Sequence, residues 1–112
     1  MGVHRLIKEE EKRLLLFLFE QVGVSEKHYP LTGLVDEYEG GKMGSISFSL
    51  DGEATYAGDL IQVDYTDTDG TEIVITLTHD TENQLLDLDF WKIDFSALIT
   101  YPQPENVIVK KY

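Results

Sequence analysis

Large apolar residues recur at helical spacing near the start of the chain, between Ile7 and Val22. Five of them form one broad stripe: Leu14, Leu15, Leu18, Phe19 and Val22. This spacing is typical of an amphipathic α-helix with a buried face. Glu9–Glu11 stand near the predicted N-terminus, where the helix dipole favours negative charge, and Gly23 is a stop signal. The pattern therefore predicts one helix over residues 7–22.

From residue 34 onward, apolar and polar residues alternate with a period of two, and turn-forming residues separate the runs. Strands are predicted at Leu34–Tyr38, Ser45–Leu50, Leu60–Tyr65, Ile73–Leu77 and Leu85–Phe95. Asp69-Gly70 predicts a hairpin turn, because both residues tolerate positive φ. Short connections favour antiparallel neighbours. We therefore expect a single α+β domain over residues 1–112, with the helix packed on an antiparallel meander sheet of about five strands.

Three aspartates interrupt the apolar stretch between Leu85 and Leu98. Alternate side chains of a strand share a face, so Leu86, Leu88 and Phe90 point one way. The other face carries Asp87, Asp89 and Trp91. We expect the leucines and Phe90 to be buried and the two aspartates to be accessible to solvent. An alternative is that Asp87 and Asp89, with Cα atoms roughly 7 Å apart, bind a cation or divide acid and base roles.

The alternation fails after Trp91. Lys92 and Asp94 fall on the core side, whereas Ile93 and Phe95 fall on the side of the aspartates. A bulge near Trp91–Ile93 would return Ile93 and Phe95 to the core. We therefore predict that Trp91 marks an irregularity in its strand.

The net charge of −12 is distributed unevenly along the chain. Residues 1–30 carry five basic and five acidic residues, and are neutral as a group. Between Met43 and Trp91 there are eleven acidic residues and no Lys or Arg. Such a surface repels nucleic acid and anionic membranes, and favours a basic protein, a cation or simple solubility.

Other sequence features bear on the compartment. The chain has no cysteine, which excludes disulfides and thiolate metal sites and favours a reducing compartment. The apolar run Leu14–Phe19 is far shorter than the roughly 20 residues needed to span a bilayer. We therefore expect a cytoplasmic protein without a membrane anchor.

Motifs for metals, cofactors and catalysis are incomplete. Asp67–Gly70 resembles part of an EF-hand loop, but the first and twelfth positions would be Tyr65 and Thr76, which are not the required ligands. A solvated hairpin tip is the favoured interpretation of these aspartates. Gly40–Ser45 lacks the Lys-Ser/Thr pair of a Walker loop. The histidines, His4, His28 and His79, are far apart. We predict no cofactor, metal or catalytic site.

Four segments resemble a family of small bacterial proteins that carry a domain of unknown function. The segments are Arg5-Leu6-Ile7 with Glu9–Glu11, Gly41–Ser45, Asp67–Gly70 and Asp87–Leu98. The resemblance covers nearly the whole chain but implies no activity. Some similar small acidic proteins resemble immunity proteins of bacterial toxin systems, by analogy alone.

The leading functional hypothesis is a non-enzymatic acidic interaction protein, with an immunity-like inhibitor as one form of it. Its partner would be a basic protein, bound by a sheet face with Asp64, Asp87 and Asp89, and with Trp91 and Tyr65 as aromatic anchors. The alternative is a metal-dependent hydrolase using Asp64, Asp67, Asp69, Asp87 or Asp89. A structural role within an assembly is a third hypothesis. The sequence makes no prediction of oligomeric state.

Overall fold

The fold combines one α-helix with an antiparallel sheet. A computed structural model of the chain describes residues 4–25, 27–29, 33–38, 42–49 and 52–109. Those residues contain helix α1, Glu9–Val22, and seven strands. The strands are β1 His4–Leu6, β2 Leu34–Glu37, β3 Ile46–Ser47, β4 Tyr56–Thr66, β5 Glu72–Asp80, β6 Leu85–Lys92 and β7 Ile108–Val109. The predicted α+β class is confirmed, but the expected number of about five strands is too low.

The sheet is built from two groups of three consecutive strands, with β7 added at one edge, and is more complex than a simple meander. Its order is β1-β2-β3-β6-β5-β4-β7, and every neighbouring pair is antiparallel. Strand β3 therefore lies beside β6, with Ile46 opposite Leu88, and does not pair with β4, the next strand in the chain. The two strands that pattern reading missed, β1 and β7, have three and two residues.

Helix α1 begins later than predicted, at Glu9, and ends where Gly23 was expected to stop it. The backbone N–H of Ile7 donates to the carbonyl of Gly33 at 2.6 Å, which ties this residue to the loop before β2. Gly23 has φ of +72°, a left-handed conformation that glycine adopts without a Cβ clash. Four residues of the predicted stripe, Leu14, Leu15, Leu18 and Phe19, are at most 1% exposed, whereas the fifth, Val22, is only partly buried. The four buried residues join the inner face of the sheet in one hydrophobic core.

Glu11 is a buried part of the fold, although it belongs to the acidic run at the start of the helix. The residue is 2% exposed, and its side chain accepts two hydrogen bonds from Arg5, at 2.9 and 2.7 Å. It also accepts the backbone N–H of Lys8 at 2.8 Å, at the free N-terminal end of the helix. Arg5 is bound to Glu37 of β2 as well, at 3.0 Å. These pairs hold β1, β2 and α1 together.

The β4–β5 hairpin forms at the predicted place but with a different turn. The N–H of Gly70 donates to the carbonyl of Asp67, and the N–H of Asp67 donates to the carbonyl of Thr71. Gly70 has φ of +82°, whereas Asp69 is not among the described residues with positive φ. The turn is therefore a three-residue loop closed by a left-handed glycine, and the expected Asp-Gly pair with two positive φ angles is wrong.

Two predicted elements lie partly outside the residues that the structure describes. The predicted strand at Ser45–Leu50 is observed only as β3, Ile46–Ser47, and Leu50 lies outside the described residues. Gly40 and Gly41 of the predicted glycine turn also lie outside them. Within those ranges, α1 is too short and too polar to cross a bilayer, and no other helix qualifies either.

Candidate functional site

From Leu86 to Phe90, strand β6 has the alternation that its sequence predicts; Leu85, before a register shift, is buried as well. Leu86, Leu88 and Phe90 are 9%, 0% and 2% exposed. On the opposite face, Asp89 is exposed, Trp91 is half-exposed and Asp87 is partly buried. The aspartates therefore lie on the face of the sheet that points away from the core. We call this side the outer face.

The register of the sheet places a third predicted aspartate on the outer face. Trp91 lies opposite Val74 of β5, and Val74 lies opposite Asp64 of β4. Residues directly opposite each other on neighbouring strands have their side chains on the same face. Asp64, Asp87, Asp89 and Trp91 therefore share the outer face, although Asp64 is two strands away from the other three.

Tyr65 does not belong to the outer face. It is 5% exposed and lies in the core, and its hydroxyl donates to the carbonyl of Thr100 at 2.9 Å. Its prediction as an accessible aromatic anchor is therefore wrong. The alternation of β4 could have shown this, because Tyr65 has the same parity as the buried Val63.

The outer face contains a cleft formed by β6, the end of β2, the segment before β3 and the segment after β6. Its volume is about 340 Å³. The residues that line this outer cleft are Tyr38, Met43, Ser45, Asp87, Asp89, Phe90, Trp91 and Phe95. Asp87 and Asp89 of the predicted set thus lie in one cleft with Trp91, and Asp64 does not line it.

Two aromatic residues of the outer cleft were missed by the sequence reading. Phe95 was expected to return to the core, but it is 58% exposed and packs edge-to-face on Trp91, with ring centroids 5.1 Å apart. Tyr38, at the end of β2, donates its hydroxyl to Asp87 at 2.6 Å. The sheet order is what brings Tyr38 to β6, and a pattern along the chain does not contain that information.

The carboxylates of the outer cleft are oriented by hydroxyl groups. Tyr38 donates to Oδ1 of Asp87, and Ser45 donates to Oδ1 of Asp89 at 3.2 Å. Burial raises the pKa of Asp87 above its ordinary value, the Tyr38 hydrogen bond lowers it, and the nearby charge of Asp89 raises it. Among the described residues, no Lys, Arg or His nitrogen lies within 4.0 Å of either carboxylate.

Lys92 is buried on the inner face, as expected from its position in the alternation of β6. The bulge predicted near Trp91–Ile93 is wrong. The ladder continues without interruption through Trp91 and Lys92, and the strand then ends. Lys92 is 1% exposed, and its Nζ lies 2.9 Å from Asp67 Oδ2 and 3.0 Å from Asp69 Oδ2. Because these carboxylates neutralise the ammonium group, a lysine can occupy the core side without a bulge.

Asp67 is also buried, so the prediction of a solvated hairpin tip is wrong for this residue. It is 3% exposed, and its two oxygens accept the N–H groups of Thr68, Ile99 and Thr100. Burial opposes the charged form, but these donors and Lys92 lower the pKa of Asp67 to about 2. Asp67 therefore fastens the segment after β6 to the β4–β5 turn.

The described residues contain no group of three or more His, Asp or Glu side chains arranged to hold a metal ion. Two of the acids considered for a metal-dependent hydrolase, Asp67 and Asp69, are bound to Lys92.

A known family model matches most of the chain. The model of a domain of unknown function, DUF6984, matches residues 4–102, which include the whole outer cleft. The chain belongs to this family. The match confirms the resemblance to a family with a domain of unknown function, and it ends before β7. No curated protein and no solved structure shows significant similarity to the chain.

Proposed function

We propose that this member of the DUF6984 family is a non-enzymatic interaction protein whose outer face binds a basic protein partner. The observation that carries the proposal is the outer cleft. It combines the exposed Trp91–Phe95 pair with Asp87 and Asp89, and no basic group of the described residues lies within 4.0 Å of those acids. Exposed aromatic residues beside unbalanced charge are typical of binding surfaces.

The electrostatic part of the proposal rests on the charge of the chain. The net charge is −12, and the protein's field attracts a cationic surface during diffusion. Asp87 is partly buried beside Asp89, an arrangement that disfavours its charged form. A basic partner would supply the missing positive charge and relieve this cost. A bacterial, cytoplasmic, immunity-like inhibitor is the specific form of this proposal.

The first test is capture of the partner from a lysate of the source cells. The test variant is Asp87→Lys, Asp89→Lys, and the control variant is Glu20→Lys, Glu105→Lys. The control changes the net charge by the same amount at exposed acids on α1 and on the 3₁₀ turn Pro104–Asn106. Circular dichroism should show that both variants are folded.

We expect the wild-type protein and the control variant to recover the same basic protein, and the test variant to lose it. Association should slow as salt rises, because screening lengths fall to about 10 Å at 0.1 M ionic strength. Equal recovery by all three proteins, or recovery of no basic protein, would contradict the proposal.

The alternative is a metal-dependent hydrolase that uses the sheet aspartates. It predicts that Mg²⁺, Mn²⁺ or Ca²⁺ raises the melting temperature by mass action, because an ion that binds only the folded state stabilises it. The interaction protein predicts no such increase. The same measurement on Asp87→Asn, Asp89→Asn would show whether any increase arises in the outer cleft.

A further inference from the structure

We propose that the outer cleft receives an arginine side chain of the basic partner, an inference that rests on the function proposed above. The cleft offers two kinds of surface to one ligand. Trp91 and Phe95 provide aromatic area, and Asp87 and Asp89 provide negative charge a short distance away on the same face. Among protein side chains, only a long cation with an apolar stem matches both surfaces.

The aromatic side of the cleft suits a guanidinium group. Trp91 is 50% exposed and Phe95 is 58% exposed, although each contacts the other. Large aromatic residues are usually buried, so this exposed pair has accessible area for a partner. Cations bind to aromatic rings, with Trp the strongest, and the planar guanidinium group also stacks on them.

The carboxylate side of the cleft distinguishes arginine from lysine. The Tyr38 and Ser45 hydroxyls hold Asp87 and Asp89 in place before any partner arrives. A pre-positioned pair of acceptors loses little freedom on binding. The guanidinium group presents five N–H donors in a fixed plane and is weakly hydrated, whereas the lysine ammonium is a compact and strongly hydrated charge. Two fixed acceptors beside an aromatic surface therefore favour arginine.

The cleft is large enough to admit one long side chain. Its volume is about 340 Å³. Pockets for drug-sized ligands occupy about 300–1,000 Å³, so this cleft is at the lower end of that range. The rest of the partner would lie on the surrounding outer face.

The tryptophan of the chain is a built-in reporter for this site. Trp91 is the sole tryptophan in the sequence and lines the outer cleft. Its fluorescence would be recorded during titration with capped arginine amide at constant ionic strength, up to the solubility limit. Capped lysine amide and capped citrulline amide would be titrated in parallel. Citrulline has nearly the shape of arginine but carries no charge.

We expect a saturable change with arginine, a weaker one with lysine and none with citrulline. The variant Asp87→Asn, Asp89→Asn should weaken arginine binding at least about tenfold, because charge-assisted hydrogen bonds are about twice as strong as bonds between neutral groups. Asparagine can still accept the hydrogen bonds from Tyr38 and Ser45, so the cleft should keep its shape. The control variant Glu20→Gln, Glu105→Gln removes the same charge elsewhere and should bind arginine like wild type.

Arginine and citrulline binding equally, no saturable change with arginine, or unchanged binding by the Asn variant would each overturn the arginine site. None of these results affects the lysate experiment, in which a basic partner could still be recovered through the outer face. Recovery of no basic protein by the wild-type protein, together with saturable arginine binding, would instead contradict the proposed function alone.

Discussion

Lys92 occupies a core position because two carboxylates reach its ammonium group. It contacts Asp67 and Asp69 and also donates to the carbonyl of Ala97 at 3.0 Å. Burial alone would lower the pKa of Lys92, but the two carboxylates raise it above its ordinary value. The residue therefore remains charged, and its neighbours must remain charged with it.

Removing Asp67 should be costly for this reason. Asp67→Asn should lower the free energy of unfolding by about 3–5 kcal/mol, because a buried ion pair loses one partner. Adding Lys92→Met should recover part of the loss, since it removes the buried ammonium group that Asp67→Asn leaves with Asp69 as its single carboxylate. Urea unfolding of the two single variants and the double variant measures the coupling. A double variant that is less stable than Asp67→Asn would contradict this explanation.

Asp67 should also make the stability depend on pH. Its pKa of about 2 in the folded protein lies below its ordinary value of 3.8. The folded state therefore holds the carboxylate more strongly in its charged form, and this contribution is complete above the ordinary value. It is lost as the pH falls through the window between the two values.

The measurement is the difference in unfolding free energy between wild type and Asp67→Asn. We expect the difference to be constant from neutral pH to about 4 and to shrink between about pH 4 and 2. A difference that is unchanged across that window would show that Asp67 is not the titrating group.

Asp87 should have the opposite effect on stability. Burial and the charge of Asp89 raise its pKa in the folded state, so the charged form destabilises the fold above the ordinary value of 3.8. Asp87→Asn should therefore raise the urea midpoint at neutral pH, and the gain should disappear at pH values below 3.8. A lower midpoint at neutral pH would indicate that the Tyr38 hydrogen bond outweighs the cost of the charge.

At the scale of the elements, the alternation along β6 determines which of its side chains are buried, whereas tertiary contacts determine where the strand ends. Leu88 is fully buried in the core and Asp89 is exposed on the outer face. Leu88→Ala should lower the free energy of unfolding by about 2–5 kcal/mol, because it leaves a cavity. Asp89→Asn should change it by less than about 0.5 kcal/mol. If thermal or urea unfolding showed that Asp89→Asn is more destabilising than Leu88→Ala, the assignment of the inner and outer faces of β6 would be wrong.

The sequence was sufficient where a run was long and periodic. The spacing in α1 predicted four of its five stripe residues as buried correctly, Val22 being the exception, and the alternation in β6 was correct from Leu86 to Phe90. Beyond that point, the pairing of Lys92 with Asp67 joins residues far apart in the chain, and periodicity contains no signal for it. The same holds for the contact of Tyr38 with Asp87. The sequence therefore predicted Asp87, Asp89 and Trp91 of the candidate site, but not Tyr38 and Phe95.

At the scale of the whole molecule, the composition and the sheet agree on where charge is unbalanced. The basic residues of the N-terminal part include Arg5, which is used within the fold by Glu11 and Glu37. Strand β6, by contrast, has its acids on the outer face and its single lysine on the inner face. The strand thus keeps its positive charge inside and its negative charge outside, which the total of −12 does not reveal.

The pairing of β3 with β6 sets an order of events for folding. Strands β4, β5 and β6 are joined by short turns, whereas Ile46 reaches Leu88 only after the whole intervening chain is brought together. Closing a long loop costs more entropy than closing a short one, so the β4–β5–β6 unit should form before β3 docks.

Ile75 and Ile46 are both 0% exposed, which makes Ile75→Val and Ile46→Val a matched pair. Ile75→Val should slow folding, whereas Ile46→Val should mainly speed unfolding, as stopped-flow kinetics can measure. If Ile46→Val slowed folding as much as Ile75→Val did, the two halves of the sheet would have to assemble together in the transition state.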